Sequence, residues 1–188
     1  MFSLEKFIAD CQQALEDPSP EQTVKKLVQE AIADPAAFKA AIEARGKSES
    51  IADAILFRSK ELTVLPVSTA PGMMTPAHDH QMWAVIGIID GVEPNDFFLE
   101  EDGALEKKST KTFKAGEVAV LKGKVIHAIS NPLDVQCYAI HVYGGDLVEQ
   151  PGRSMWNPHT FKREPYDIVK LSQYVTEISE SSAANALD

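Results

Sequence analysis

Five histidines occur in the chain, and four of them lie in short patterns that could do chemistry: "HDH" at 78–80, "VIHAI" around His127, and "HVY" at 141–143. Side chains of an extended strand alternate with period two. His78 and His80 therefore point to one face, and so do His141 and Tyr143. Two imidazoles on one face can hold one ion from neighbouring corners of its coordination sphere, and neutral imidazole suits Fe, Zn, Cu and Ni. HxH alone is equally compatible with a structural pair or with surface histidines. The second half of the chain weighs against those readings. "GEVAVL" at 116–121 reads as a strand after a tight turn, and "KGKVIHAISNP" then brings His127 to the start of the next strand, where it could face the same interior. His141 would orient and polarise the Tyr143 hydroxyl, a phenol able to donate a hydrogen bond or exchange a proton. The competing reading is a buried His–Tyr pair that satisfies only itself. The fifth histidine, His159, sits in the Pro-flanked loop "NPHTF" and is given no role.

The elements that must position these residues follow from periodicity. Phe2, Leu4, Phe7, Ile8, Cys11 and Leu15 fall close to i, i+3/i+4 spacing, which predicts a helix. Ser19-Pro20-Glu21-Gln22 offers an N-cap, a proline at the first helical position and a capping-box partner. Val24, Leu27, Val28, Ala31 and Ile32 give the next apolar stripe. Asp34-Pro35 repeats the start signal, and Gly46 is a stop. After about residue 53 the period changes. Leu62–Thr69 is extended, and β-rich segments follow at 81–90, 95–100, 108–113, 117–121, 126–130 and 135–143. Turn signals separate them at Pro71-Gly72, Asp90-Gly91, Asp102-Gly103, Ala115-Gly116 and Asn131-Pro132. Many short strands with regular turns predict a mainly β fold, an antiparallel jelly-roll barrel with an N-terminal helical segment. The expected organisation is a helical segment packed on the barrel (1–50), the barrel with an ordered Gly/Pro-rich capping loop at 144–167 (51–170), and a partly frayed C-terminal segment (171–188).

Composition narrows the function classes. The chain has 188 residues and a formal net charge of −10. No Lys/Arg run is long enough to track a phosphate backbone, so nucleic acid is excluded as a partner. The longest uncharged apolar stretch, Met82–Ile89, is too short to span a bilayer, which excludes a membrane partner. Residues 1–17 carry Glu5, Lys6, Asp10 and Glu16 at helical spacing and do not read as a signal peptide. Two cysteines, Cys11 and Cys137, are too few for a disulfide framework, and unpaired thiols suit a reducing cytoplasm. Cys137 shares a face with His141 by alternation and reads as a core thiol.

"GMMTPAHDHQMWAVIGIIDG" followed by "GEVAVLKGKVIHAISNP" resembles the paired motifs of the cupins, and within them the cysteine dioxygenase-like thiol dioxygenases. "HDHQMWAVIG" and "HVYGGDL…RSMWNP" look closest to a bacterial branch of metal-dependent double-stranded β-helix enzymes. The resemblance covers roughly residues 55–167. It implies a mononuclear Fe(II) held by His78, His80 and His127, with Ni or Zn also able to occupy the site as isolated, and no organic cofactor. Most cupins add a carboxylate four or five residues after the second histidine; Ala84 and Val85 stand there and neither binds metal. Some relatives carry at this point a cysteine cross-linked to the active-site tyrosine, and Val85 implies that no Cys–Tyr crosslink forms. The family's Ser-His-Tyr set matches Ala139, His141 and Tyr143, so the serine is missing.

A substrate carboxylate calls for the bidentate fork of arginine. Arg58 matches, loosely, the arginine of cysteine-specific relatives, and Arg153 that of the 3-mercaptopropionate type. Trp83 and Trp156 are candidate pocket walls, although large aromatics are more often core. The implied function is Fe(II)-dependent oxidation of a small thiol, cysteine or 3-mercaptopropionate-like, to the sulfinate with O₂. Two alternatives stay open: a three-histidine dioxygenase acting on a diketone-like compound, and a metal-binding or ligand-sensing cupin without turnover. The expected location is the cytoplasm, and a homodimer stays open as the assembly.

Overall fold

Short-range capping decides where the N-terminal helices begin. The computed structural model describes residues 2–46, 48 and 51–185, so the boundary expected at residue 50 and the last residues, 186–188, lie outside the described ones. Helix α1 (Leu4–Gln13) starts where Ser3 Oγ accepts from the Lys6 N–H, and α3 (Pro35–Glu43) where Asp34 Oδ1 accepts from Ala37 at 3.0 Å. Helix α2 (Pro20–Ala31) begins on its proline, but the Ser19 side chain makes no capping bond, contrary to the capping-box expectation. Proline at the first helical position needs no N–H partner and already has helical φ, so the start holds without the cap. A short α4 (Ile51–Ala54) leads into the β region.

Two antiparallel layers follow. The first has the order β1 (Phe57–Arg58), β2 (Thr63–Thr69), β8 (Cys137–Tyr143), β3 (Ala84–Asp90), β6 (Val118–Leu121). The second has the order β5 (Ala104–Lys114), β4 (Val92–Glu101), β7 (Ile126–Ile129). The fold is the expected mainly β double-stranded β-helix with N-terminal helices. β4 and β5 are longer than their sequence segments because Asp102 (φ 52°) and Gly103 (φ 77°) close a two-residue hairpin in the left-handed region.

Every residue of β3 from Ala84 to Ile89 is buried, because the strand is covered on both faces. Val85 and Ile89 pack with Val24, Val28 and Phe38 of the helices, while Ala84, Ile86 and Ile88 face the interior beside Leu65, Ala139 and Tyr143. The helices approach closely at Gly87, where an added Cβ would lie 2.4 Å from Val28 Cγ1.

The expected strand 81–90 starts only at Ala84. Gln81 takes a φ of 53°, which turns the chain between the HDH stretch and β3. Residues 77–80 instead join the second layer. His78 exchanges both backbone hydrogen bonds with His127, at 2.9 and 3.0 Å, and bridges to Met155 on its other side. The capping loop thus contains two strands, β9 (Ser154–Trp156) and β10 (Arg163–Pro165). The C-terminal stretch, read as partly frayed, is helical through Asn185: α5 (Ile168–Asn185) sets Leu171 and Tyr174 against Met155. Among the described residues no helix is long and apolar enough to cross a membrane.

Gly87→Ala is expected to lower stability by about 1–3 kcal/mol, the usual cost of overpacking. Val28→Ala in the same chain should recover part of it, since Val28 is the group displaced. Urea midpoints of the two variants check this; equal midpoints for Gly87→Ala and the parent chain would contradict the close helix–sheet contact.

Candidate metal centre

His78, His80 and His127 meet inside the barrel. One ring nitrogen from each falls within 4.8 Å of the others, and the rings are 8%, 6% and 1% exposed. The His78–His127 backbone pair places two of the rings side by side, with centroids 4.7 Å apart. His80 arrives two residues along the same extended stretch. Asp79, between the two histidines, points the other way and pins the segment to β9: its N–H donates to the Ser154 carbonyl at 3.0 Å and its Oδ1 accepts from the Ser154 N–H at 3.1 Å.

Burial keeps these imidazoles neutral. It pushes His78 down to about 4, partly opposed by its hydrogen bond to the Pro76 carbonyl. Burial, then the mutual repulsion of the three rings, holds His80 well below the usual range; burial and the charge His78 would carry do the same to His127. A neutral imidazole has one nitrogen free as a ligand, and which one is set by the partner of the other. His78 Nδ1 donates to the Pro76 carbonyl at 3.0 Å and His127 Nδ1 donates to Asn95 Oδ1 at 2.8 Å, so both turn Nε2 toward the cluster. The Nε2 atoms of His80 and His127 are 3.0 Å apart. This donor set fits a first-row transition metal with open coordination positions.

The other sequence candidates separate. Tyr143 and His141 point into the barrel from β8, with the Tyr143 ring 5.0 Å from that of His80 and its hydroxyl 2.9 Å from His141 Nδ1. Burial raises the Tyr143 hydroxyl above its ordinary value and keeps it protonated. Arg153 is buried at the cluster. Its Nε donates to the Asp79 carbonyl, Nη1 to that of Leu147, and Nη2 lies 3.5 Å from His80 Nδ1. The guanidinium stacks 3.5 Å from the Tyr166 ring centre.

Arg58 does not join this group. It sits on the two-residue edge strand β1, and its fork is spent on Asp146 (2.7 and 2.9 Å) and Glu149 (3.1 Å) at the surface. Trp83 is no pocket wall either. It shares the odd-numbered face of Val85 with the helices and covers Gly144, where an added Cβ would fall 2.0 Å from its ring. Trp156 is buried and spends its Nε1 on Glu100. His159 is exposed beside Glu177, and the buried Cys137 thiol donates to Asn131 Oδ1.

The sequence reading missed Glu93 and Asn95. Both are buried on the interior face of β4, with Asn95 Nδ2 donating to Glu93 Oε1 at 2.9 Å. Their two-residue spacing repeats that of HDH and HVY, and this was the available signal.

No protein-family model matches the chain. Solved structures resemble it in part. Oxalate decarboxylase from Bacillus subtilis is 24% identical over 47% of this chain and 22% of that one, with a TM-score of 0.39. A protein with a double-stranded β-helix domain from Klebsiella pneumoniae subsp. pneumoniae is 15% identical over 60% of this chain and 93% of that one, with a TM-score of 0.42. The chain spans about a fifth of the length of the oxalate decarboxylase it matches. These are likenesses of fold.

Two outcomes follow from the geometry. The folded His78 value lies below the unfolded one of about 6.5, so the unfolded chain binds more protons between pH 6.5 and 4, and stability is present above that window and lost as pH falls through it. Between pH 7 and pH 5 the metal-free protein should lose about 2 kcal/mol from His78 alone. Urea unfolding with chelator checks this, and a flat profile would contradict neutral buried rings. Asn95→Ala removes the acceptor that orients His127 and should weaken metal binding about 10–100-fold in a competition titration.

Proposed function

We propose that the chain is a metal-dependent dioxygenase that oxidises a small carboxylate-bearing thiol to its sulfinate. One observation supports this most: three neutral imidazoles converge with no carboxylate among them, and a buried arginine and a buried tyrosine stand at their edge. The overall reaction balances without an external reductant. The sulfur loses four electrons, dioxygen gains four, and both oxygen atoms end on sulfur.

His78, His80 and His127 would hold the metal, Fe(II) in this reading. When bound, it supplies the charge that stabilises a thiolate and the redox chemistry of dioxygen. The chain's own groups do the rest. Arg153 is held by two carbonyls and stacked on Tyr166, so its fork is oriented before a substrate carboxylate arrives, which lowers the ordering cost of binding. Tyr143, its ring beside that of His80 and its hydroxyl on His141, would serve positioning and proton exchange. The buried walls around Ile86, Leu65 and Ala139 keep bulk water from this space.

Tyr143→Phe is expected to keep the metal and to slow turnover by about 10²–10⁴, the usual worth of a positioned acid–base group. Arg153→Ala should raise KM for the thiol about 30-fold to several thousand-fold, which corresponds to about 2–5 kcal/mol for a desolvated charge pair. Arg58→Ala should leave KM unchanged. The experiment is thiol-dependent O₂ uptake with cysteine, 3-mercaptopropionate, cysteamine and acetylacetone. Uptake with acetylacetone alone would replace the proposal with the diketone reading, and no uptake with any of them would favour a sensor.

A further inference from the structure

The interior holds a polar approach between β8 and β4, from His141 to Glu93, that the proposed reaction leaves unused. His141 Nε2 is buried and has no hydrogen-bond partner among the described residues. Its own strand offers none, because the neighbouring interior position is Ala139, without a hydroxyl. The nearest charged group comes from the opposite layer: Glu93 Oε2 on β4 lies 3.7 Å from that nitrogen, and both side chains are 4% exposed. The other Glu93 oxygen accepts from Asn95 Nδ2 at 2.9 Å, and Asn95 Oδ1 accepts from His127 Nδ1 at 2.8 Å. On its far side His141 Nδ1 meets the Tyr143 hydroxyl at 2.9 Å.

We propose that Glu93 is a positioning residue that fixes the direction of the His141–Tyr143 hydrogen bond, holding His141 as the Nε2–H tautomer so that Tyr143 donates its proton to His141 and turns its oxygen lone pairs to the metal cluster.

Donor and acceptor chemistry decides the tautomer. A carboxylate only accepts, so the imidazole nitrogen beside it must carry the hydrogen. A neutral imidazole has a single N–H, so Nδ1 is then the acceptor and the hydrogen between it and Tyr143 belongs to the phenol. The opposite tautomer would set a lone pair against the carboxylate with no hydrogen between them, inside an interior where an unpaired polar atom costs most. Carboxylate, imidazole and hydroxyl in series follow the logic by which a buried acid sets a histidine's tautomer in hydrolytic triads. Asn95 makes the same carboxylate orient His127, so one group on β4 steers both a candidate ligand and the tyrosine.

The consequence for substrate rests on the thiol-oxidising reading; the tautomer does not. The substrate group that meets Tyr143 is a hydrogen-bond donor, such as a thiol or an ammonium. A proton accepted by the phenolic oxygen forms a new O–H bond as the original proton passes to His141 Nδ1. The imidazolium so made faces the Glu93 carboxylate.

The test uses ¹⁵N–¹H correlation spectra of the imidazole rings in the full chain loaded with Zn(II), without substrate, so that failure of the reaction reading leaves it intact. His141 is expected to show a protonated, pyrrole-type Nε2 and a pyridine-type Nδ1. A pyridine-type Nε2 in the unmodified chain would overturn the proposal, and this needs no variant. In Glu93→Gln the amide oxygen stays on Asn95 and its NH₂ faces His141, so the two nitrogen signals should exchange types. An unchanged His141 pattern in that variant would also overturn it.

Discussion

Three imidazoles share one dry space, and much of the barrel is arranged to make that tolerable. A buried polar atom without a partner costs about 1–3 kcal/mol. Two Nδ1 atoms are satisfied by the Pro76 carbonyl and Asn95, and the third faces Arg153 at longer range. The three inward nitrogens have only each other, with a single contact of 3.0 Å between His80 and His127. A cation at that point replaces this contact with ligand bonds from all three rings. Its binding free energy then adds to the stability of the fold, because the unfolded chain has no such site.

That requirement explains the way the layers meet. The HDH stretch cannot continue β3, since β3 belongs to the first layer and His127 to the second. The turn at Gln81 releases residues 77–80 to pair with β7 on one side and β9 on the other. Arg153, immediately before β9, is thereby brought up to the cluster, and α5 closes over β9 through Leu171 and Tyr174. The N-terminal helices cover the other face of β3 and take Trp83 with them. The site is therefore built where the two layers and the capping segment converge.

Much of this was legible in the residues. Strict alternation in HDH and HVY, and the Gly and Asn turn signals between apolar runs, point to a jelly roll with four interior histidines, and alternation alone separates Trp83 from Ala84. The misplaced elements have identifiable physical causes. The expected strand at 95–100 begins at Asn95, so Val92–Pro94 fall outside it and Glu93 goes unseen, because Pro94 interrupts the β-rich run. Arg58 was judged by order along the chain, whereas its environment is set by Asp146, 88 positions away. The strands of the capping loop pair with each other and dock on His78 through Met155, a long-range pairing that leaves no periodic trace.

The central claim is a metal held by three histidines and no other side chain. X-ray absorption at the Zn edge of Zn(II)-loaded protein, with metal content per chain, tests it most directly. One metal per chain is expected, with three imidazole nitrogens at about 2.0–2.1 Å and the remaining coordination from water. Fewer than three imidazoles, or a sulfur or carboxylate ligand from the chain in their place, would contradict it.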